Sequence, residues 1–175
     1  MDLRGNTIGI LVEDQHEDIE LWYPLLRLRE AGAKVVVIGM EKGKRYMGKR
    51  GYPIAADVSV AQTSAESLSA LIIPGGYAPD RMRIHAELID LVRDVNAQGK
   101  VVAMICHAGW VGISAGIVAG KRATSVRPIR DDMINAGTEW VDEEVVVDEN
   151  LITSRTPWDL PAFCRAIIEK LEKTP

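Results

Sequence analysis

The chain has 175 residues, 47% hydrophobic and 26% charged, which suits a soluble protein with a sizeable core, and we predict one domain spanning residues 1–175. Its net charge of −4 argues against a nucleic-acid or membrane-surface binder, because such binding needs a basic excess or stripe. No apolar run approaches a membrane span, no secretion signal is visible, and two cysteines make no disulfide framework, so we expect a cytoplasmic protein.

The first half of the chain alternates apolar runs with one amphipathic segment and one segment rich in glycine and lysine. Short apolar, largely β-branched runs predict buried parallel strands at residues 7–12, 33–39 and 68–76. Between the first two runs, Ile19, Trp22 and Leu26 recur at helical spacing and predict a helix that stops at Gly32. Residues 40–64 predict a hairpin-like excursion, and we interpret the bases within it as solvated.

The second half of the chain continues the alternation. Residues 100–106 predict a fourth buried strand, and residues 143–154 predict a hairpin that turns at 148–150. Helices are predicted at residues 86–99, 108–120, 129–137 and 158–173. Strands that alternate with helices along the whole chain predict an α/β fold with a doubly wound, mostly parallel sheet.

Three loops follow predicted strands and bear residues capable of chemistry. They contain "EDQHED" (13–18), "PGGYAPD" (74–80) and the pair Cys106-His107. Ligands of doubly wound sheets bind beyond the carboxyl ends of the strands, so we expect these loops to converge on one site. His16 and its acidic neighbours match no metal-ligand spacing; we interpret them as a surface helix N-terminus and predict no metal site.

Cys106 lies where a predicted strand meets a predicted helix. A sharp turn there presents the sulfur outward, and Ala108 and Gly109 relieve crowding around it. The N-terminus of the following helix favours the thiolate, which is the reactive form. The alternative is a buried cysteine that acts as a small core residue, and Cys164 in the closing helix is interpreted in that way.

The loop after the third predicted strand offers backbone donors and an acid. Gly75 and Gly76 can leave N–H groups uncovered, as an oxyanion hole requires, although a double glycine also forms ordinary turns. Asp80 can orient His107 in the manner of a Cys/His/acid constellation. It can equally cap a helix.

Four stretches of the chain resemble the PfpI family, the intracellular protease-like branch of the superfamily that includes the parkinsonism-associated deglycase. They are "HEDIELWYPLLRLREAG", "IIPGGYAPDRMR", "AMICHAGWVGISAG" and "RDDMINAGTEWVDEEVVVDENLITSRTPWDL". The likeness runs in the same order from about Thr7 to the C-terminal helix. It implies a flavodoxin-like three-layer sandwich with a nucleophile elbow at Cys106.

The resemblance also implies roles for the residues around the sulfur. Glu17 is expected to hydrogen-bond the sulfur, with His107 as the base. Asp80 is expected to reach His107 across a subunit contact, and the N–H groups of Gly76 and His107 to form the oxyanion hole. Self-association into a homodimer or a hexamer follows from this, and we expect no cofactor.

Two residues depart from the family's usual pattern. Asp80 stands where the protease-like members commonly have glutamate, and its carboxylate is one methylene shorter, which puts proteolysis in doubt. Trp110 stands in a segment that more usually begins with glycine and proline after the histidine. Its ring can narrow the pocket mouth or simply pack in the core.

Activities attributed to the family include peptide hydrolysis, conversion of methylglyoxal and glyoxal without glutathione, removal of early glycation adducts, and stress or chaperone roles. An activated thiol beside an oxyanion hole suits attack on a reactive carbonyl. We therefore predict a Cys106-dependent hydrolase or lyase of the glyoxalase or deglycase type. The alternatives are an intracellular cysteine peptidase, and a non-enzymatic peroxide sensor or chaperone.

Overall fold

The structure is a computed structural model that describes residues 2–173. Its strands are β1 (Thr7–Leu11), β2 (Lys34–Gly39), β3 (Arg45–Met47), β4 (Pro53–Ala55), β5 (Val58–Ser59), β6 (Ala70–Ile73), β7 (Val101–Ile105), β8 (Arg122–Ala123), β9 (Glu139–Trp140), β10 (Val145–Asp148) and β11 (Leu151–Ser154). Its α-helices are α1 (Asp18–Glu30), α2 (Ala78–Met82), α3 (Ala86–Ala97), α4 (Gly109–Ala115), α5 (Arg130–Asn135) and α6 (Leu160–Glu172).

The central sheet has seven strands in the order β10-β11-β7-β6-β1-β2-β5. Neighbouring strands are parallel except for β10 and β11, which form the predicted antiparallel hairpin at one edge. The chain adds β2 on one side of β1 and later returns to add β6 on the other side. The order therefore reverses between β1 and β6, which is the switch point of a doubly wound, flavodoxin-like sheet. The predicted fold class is confirmed.

Different helices cover the two faces of the sheet. Ile10 of β1 points to a core that includes Leu21 of α1 and Phe163 of α6. Met104 of β7 points to the opposite core, to which helices α2 to α5 contribute, Val92 of α3 among them. Residues of one strand alternate between the faces, so both sides of the sheet are buried under helices. This arrangement is the predicted three-layer sandwich.

Helix α1 forms where predicted, but the apolar stripe that predicted it faces outward. Leu21, Leu25 and Leu28 are the leucines that pack against the sheet. Ile19 is 51% exposed and Leu26 is 58% exposed. The helix thus has two apolar stripes, and helical spacing alone does not tell which of them is buried.

The predicted excursion after β2 contains the antiparallel hairpin β3–β4. Tyr46 anchors it, because the ring is fully buried and the hydroxyl accepts the Met40 N–H at 2.9 Å. The ring packs on Gly39, where a Cβ atom would lie 2.7 Å from it. Gln15, in the loop after β1, donates its N–H to the Met47 carbonyl at 2.8 Å. The hairpin is therefore docked at the carboxyl end of β1.

Two helices differ from the prediction, one in each half of the chain. Helix α4 is shorter than expected, because Gly116 takes a left-handed conformation with φ +72° and ends it. Helix α2 was not predicted, since its five residues are too few to show a periodic pattern. Within residues 2–173, no helix has both the length and the apolar character needed to cross a bilayer.

The contact between Gly39 and Tyr46 gives a test of how the hairpin is docked. We expect Gly39→Ala to lower the free energy of unfolding by about 1–3 kcal/mol, because a buried aromatic ring cannot move aside for the added methyl group. The measurement is urea denaturation. As a control, the same change in a Tyr46→Leu background should cost clearly less, since leucine is more adaptable than the ring. An equal cost in both backgrounds would show that the two residues do not compete for space.

Candidate active site

Cys106 occupies a nucleophile elbow between β7 and α4, as predicted. Its backbone has φ +63°, a left-handed conformation that non-glycine residues rarely adopt, and a short 3₁₀ turn (Cys106–Ala108) leads into the helix. Gly75 faces the elbow, and a Cβ atom there would lie 2.6 Å from the Cβ atom of Cys106. The absence of a side chain at Gly75 therefore allows the ends of β6 and β7 to meet.

The three predicted loops converge on Cys106. Backbone bonds join the loop after β1 (residues 12–17) to the loop after β6 (residues 74–77). Glu17 donates its N–H to the Gly75 carbonyl at 3.1 Å, and Tyr77 donates its N–H to the Gln15 carbonyl at 2.9 Å. Gly76 has φ +80°, and a Cβ atom there would lie 2.4 Å from the Glu17 nitrogen. Both conformation and space therefore require glycine at position 76.

Two backbone N–H groups point at the sulfur. They belong to His107 and Gly76, and their hydrogen bonds favour the charged form of the thiol. These are the groups expected to form the oxyanion hole, and that role remains a prediction. The geometry places donors of the required kind beside the atom that would attack a carbonyl.

The carboxylate beside the sulfur is Glu20 rather than Glu17, which corrects the prediction for this position. Glu20 lies in the first turn of α1, has no solvent-exposed surface and hydrogen-bonds with Cys106. Its Oε2 atom also accepts the Gly75 N–H at 2.8 Å. Glu17 precedes the helix, and its Oε2 atom lies 3.2 Å from the Lys49 Nζ atom. Residues three apart along a helical turn share a face, which is why the two acids are close.

Burial shifts the protonation of both Glu20 and Cys106. Burial raises the pKa of Glu20 to about 7. Burial and the charge of Glu20 together raise the pKa of the Cys106 thiol to about 12, against the N–H groups that lower it. The N–H groups at the start of the following segment favour the thiolate, as predicted, but loss of solvation and the adjacent carboxylate outweigh them. A nucleophile has to form by proton transfer within the site.

His107 is placed to take part in that transfer. Its Nδ1 atom lies 3.4 Å from the Cys106 sulfur. Burial, together with the nearby charge of Lys49, lowers the pKa of His107 below its ordinary value. The imidazole is therefore neutral at pH 7 and can accept a proton.

Asp80 and Trp110 differ in their relation to the site. Asp80 is exposed in the first turn of α2, and no hydrogen bond joins it to His107 within residues 2–173. The prediction that it acts across a subunit contact stays a prediction. Trp110 packs on the core and also lies beside His107, with ring centroids 5.3 Å apart. Its indole N–H donates to Asp132 at 2.8 Å, and the ring lines a cavity of about 520 Å³.

Lys49 is a site residue that sequence reasoning missed. The segment that contains it was interpreted as solvated, and much of it is exposed. The Lys49 side chain, however, is only 31% exposed, and it pairs with Glu17. Its Nζ atom also lies 5.1 Å from the centroid of the Tyr77 ring. No local signal distinguishes Lys49 from its basic neighbours, since the docking of the hairpin decides its position.

His16 is buried, which corrects its interpretation as part of a surface helix N-terminus. Its side chain has no exposed surface, and its Nδ1 atom lies 3.0 Å from the Glu13 carbonyl oxygen.

The other histidine and the other cysteine of the chain lie outside this group of residues. The Nε2 atom of His85 lies 3.7 Å from the Glu13 carboxylate. Cys164 is buried in α6 as predicted, and burial raises the pKa of its thiol to about 12.

A signal for Glu20 is present in the sequence. Glu20, Pro24 and Leu28 are spaced by four residues and share the buried face of α1. An acid in register with a buried stripe is unusual, because an unpaired buried carboxylate is costly. Because α1 has two apolar stripes, the spacing alone does not show that the face bearing Glu20 is the buried one.

The raised pKa of Glu20 predicts a pH-dependent stability. A carboxyl whose pKa is higher in the folded than in the unfolded protein stabilises the fold at low pH, and this contribution is lost as pH rises. The rise from 4.5 to about 7 amounts to about 3 kcal/mol at roughly 1.4 kcal/mol per unit. Between pH 4 and pH 8 we therefore expect wild type to lose about this much unfolding free energy relative to Glu20→Gln, measured by urea denaturation.

The control for this measurement is Glu30→Gln, since Glu30 lies exposed in the same helix. It should leave the pH dependence of unfolding as in wild type. Parallel curves for wild type and Glu20→Gln would mean that Glu20 is not the buried titrating acid.

Comparisons with known proteins agree with this fold. The sequence profile of the DJ-1/PfpI family matches residues 6–170. Deglycase PfpI of Pyrococcus furiosus is 43% identical over 165 residues, which cover 94% of this chain and 99% of that protein. Protein/nucleic acid deglycase 2 of Escherichia coli is 40% identical over 169 residues, covering 95% and 98%. The crystal structure of Drosophila melanogaster DJ-1beta has a TM-score of 0.88 at 30% identity, covering 98% of this chain and 91% of that one. The chain belongs to the DJ-1/PfpI family.

Proposed function

We propose that the protein is a cytoplasmic Cys106-dependent hydrolase or lyase that acts on small reactive carbonyls, of the glyoxalase or deglycase type. One observation supports it above the others. The Cys106 thiol lies within hydrogen-bonding reach of a buried carboxyl, a neutral imidazole and two backbone N–H groups. Relatives at 40% and 43% identity are named deglycases, which supports the same chemistry.

The first step forms a bond between the sulfur and an aldehyde carbon. The thiol proton passes to the Glu20 carboxylate or to His107 as the sulfur attacks, because an unassisted thiol with so high a pKa is a poor nucleophile. The carbonyl π electrons move to the oxygen, which the N–H groups of Gly76 and His107 stabilise. The oxygen then takes up a proton, and the product is a hemithioacetal.

The following steps convert methylglyoxal to lactate without an external oxidant. His107 removes the proton from the carbon that bears the sulfur, and the electrons move to the neighbouring carbonyl. Protonation of that neighbouring carbon, together with transfer of the hydroxyl proton of the sulfur-bearing carbon to the neighbouring oxyanion, gives a lactoyl thioester on Cys106. Water then attacks the thioester, releases lactate and restores the thiol. One molecule of water is consumed, and the redox change is internal to the substrate.

The central prediction concerns the thiol. Cys106→Ser should lower the rate of methylglyoxal consumption by at least about a hundredfold, since a hydroxyl without a matched base is a far poorer nucleophile. Consumption can be followed by loss of the dicarbonyl, with lactate measured as product. The control is Cys164→Ser, which removes a thiol that lies in the core of α6. It should retain turnover in the fraction that folds.

Two results would overturn the proposal in different ways. If Cys106→Ser keeps the wild-type dicarbonyl rate, the catalytic interpretation is wrong, and the chaperone alternative replaces it. If wild type cleaves a fluorogenic peptide faster than it consumes methylglyoxal, the peptidase alternative replaces it. For the peroxide sensor, the raised pKa of the thiol is unfavourable, because oxidation proceeds through the thiolate.

We further propose that the protein self-associates, with a second copy covering the outward stripe of α1. A groove of about 1010 Å³ runs along this stripe and is lined by large apolar side chains, among them Ile19, Trp22, Leu26, Tyr52 and Trp158. Trp158 is 90% exposed. Contiguous apolar surface of this kind is rare on monomers. The groove is continuous with the site, because Glu17 and Asp18 form part of its wall.

Leu26→Lys tests this interface. It should shift the mass measured by sedimentation or light scattering at micromolar concentration towards the monomer, because a charge then faces an apolar surface. Val147→Lys, at an exposed aliphatic residue elsewhere, should not. If wild type is already monomeric, self-association is refuted, and Asp80 has no route to His107. If it is a homodimer or a hexamer, Asp80→Asn then measures whether that acid contributes to turnover.

A further inference from the structure

We propose that Lys49 recognises anionic oxygen in this site: its ammonium binds the charged oxygen on the carbon next to the reacting aldehyde. The inference rests on the proposed function and adds to it the class of substrate that the site prefers. That class is aldehydes whose neighbouring carbon bears a negative oxygen or acquires one during reaction. Glyoxylate has this oxygen from the start, and a 2-oxoaldehyde acquires it.

The backbone around Lys49 is fixed by a buried acid. Asp18 is 6% exposed, and its carboxylate accepts the N–H groups of Arg50 at 2.7 Å and Tyr52 at 3.0 Å. A Cβ atom on Gly48 would lie 2.3 Å from an oxygen of that carboxylate. Lys49 itself donates its N–H to the His16 carbonyl at 2.8 Å. The turn of the hairpin (residues 48–52) is therefore held against the start of α1, which makes Asp18 a positioning residue.

The ammonium bridges the two loops that flank the sulfur. Its Nζ atom contacts Glu17 of the loop after β1 and lies over the ring of Tyr77 in the loop after β6. Those loops are bonded to each other through Glu17 and Gly75. The positive charge therefore lies beside both of the loops that flank the sulfur, and the proposal requires a ligand of Cys106 to extend towards it.

Two observations support an interaction between this charge and a ligand. It lowers the pKa of His107 and also acts to lower that of Glu20, the two groups that contact the sulfur. An ammonium has three N–H donors. Within residues 2–173, the Lys49 ammonium donates one hydrogen bond, to the Glu17 carboxylate. Donors therefore remain for a ligand, and Glu17 is the competing anion.

The chemistry of the adduct places a negative oxygen within reach. When the thiol adds to glyoxylate, the sulfur–carbon bond forms, and the thiol proton ends on the former aldehyde oxygen. The carboxylate remains on the next carbon and needs a cation. In a 2-oxoaldehyde adduct, removal of the proton from the sulfur-bearing carbon moves the electrons to the oxygen of that same next carbon. Lys49 would stabilise the ligand in the first case and the intermediate in the second.

Binding of carbon-13-labelled glyoxylate to the full chain tests the proposal, with the hemithioacetal carbon followed by NMR. Lys49→Met should weaken glyoxylate binding by about ten- to a hundredfold, the effect expected for one charge-assisted hydrogen bond. Binding of acetaldehyde, which lacks the charged oxygen, should change by less than about twofold. Lys49→Arg should retain most of the glyoxylate affinity. Lys42→Met, which removes an exposed cation near the same hairpin, should match wild type.

Variants of the residues that contact Lys49 or hold its backbone distinguish direct binding by the ammonium from an effect of Lys49 on the order of the turn. Glu17→Gln should bind glyoxylate more tightly than wild type, because the competing carboxylate is removed. Asp18→Asn should weaken glyoxylate binding, because it loosens the turn that positions Lys49. In the Lys49→Met background the same change should have little further effect, since the ammonium is already absent. The proposal is overturned if wild type forms no glyoxylate adduct. It is also overturned if Lys49→Met leaves glyoxylate binding unchanged or weakens acetaldehyde binding equally.

These binding measurements do not depend on turnover. If glyoxylate binds through Lys49 while methylglyoxal is not consumed, the proposed function fails and the recognition role stands. If methylglyoxal is consumed but Lys49→Met leaves glyoxylate binding unchanged, the proposed function stands and the recognition role of Lys49 is refuted.

Discussion

The site depends on the empty space beside Gly75. A side chain there would meet the Cβ atom of Cys106 at 2.6 Å and a Glu20 oxygen at 2.7 Å, so thiol and carboxyl can approach only because the residue between them is glycine. Gly75 also donates its N–H to the Glu20 carboxylate, and its carbonyl accepts the N–H of Glu17. One backbone position thus joins the end of β6, the elbow after β7 and the start of α1.

Burial then decides how charge is distributed around the sulfur. Loss of solvation disfavours ionisation of both Glu20 and Cys106, and the charge of Glu20 further disfavours the thiolate. The backbone donors at Gly76 and His107 compensate in part, and so does the charge of Lys49 at the edge of the site. The arrangement favours a proton that moves within the site over a standing thiolate.

Most of the fold and the position of the nucleophile could be predicted from the sequence, because both rest on local patterns. Buried strands show as β-branched runs, and the elbow shows as a cysteine at the junction of two such patterns. The identity of the acid could not be settled in the same way. Glu17 and Glu20 differ by less than one helical turn, and only the burial of one stripe of α1 separates them. Lys49 and His16 are positioned by contacts between distant segments, which leave no periodic signal.

The left-handed backbone at Cys106 sets stability against reactivity at one residue. A side chain with φ +63° costs of order 1 kcal/mol relative to glycine, which adopts that conformation freely. The nucleophile is thus a local weakness of the fold that glycine would repair. Selection for stability alone would tend to remove this thiol, and the catalytic role proposed for Cys106 supplies a reason for a side chain at so unfavourable a position.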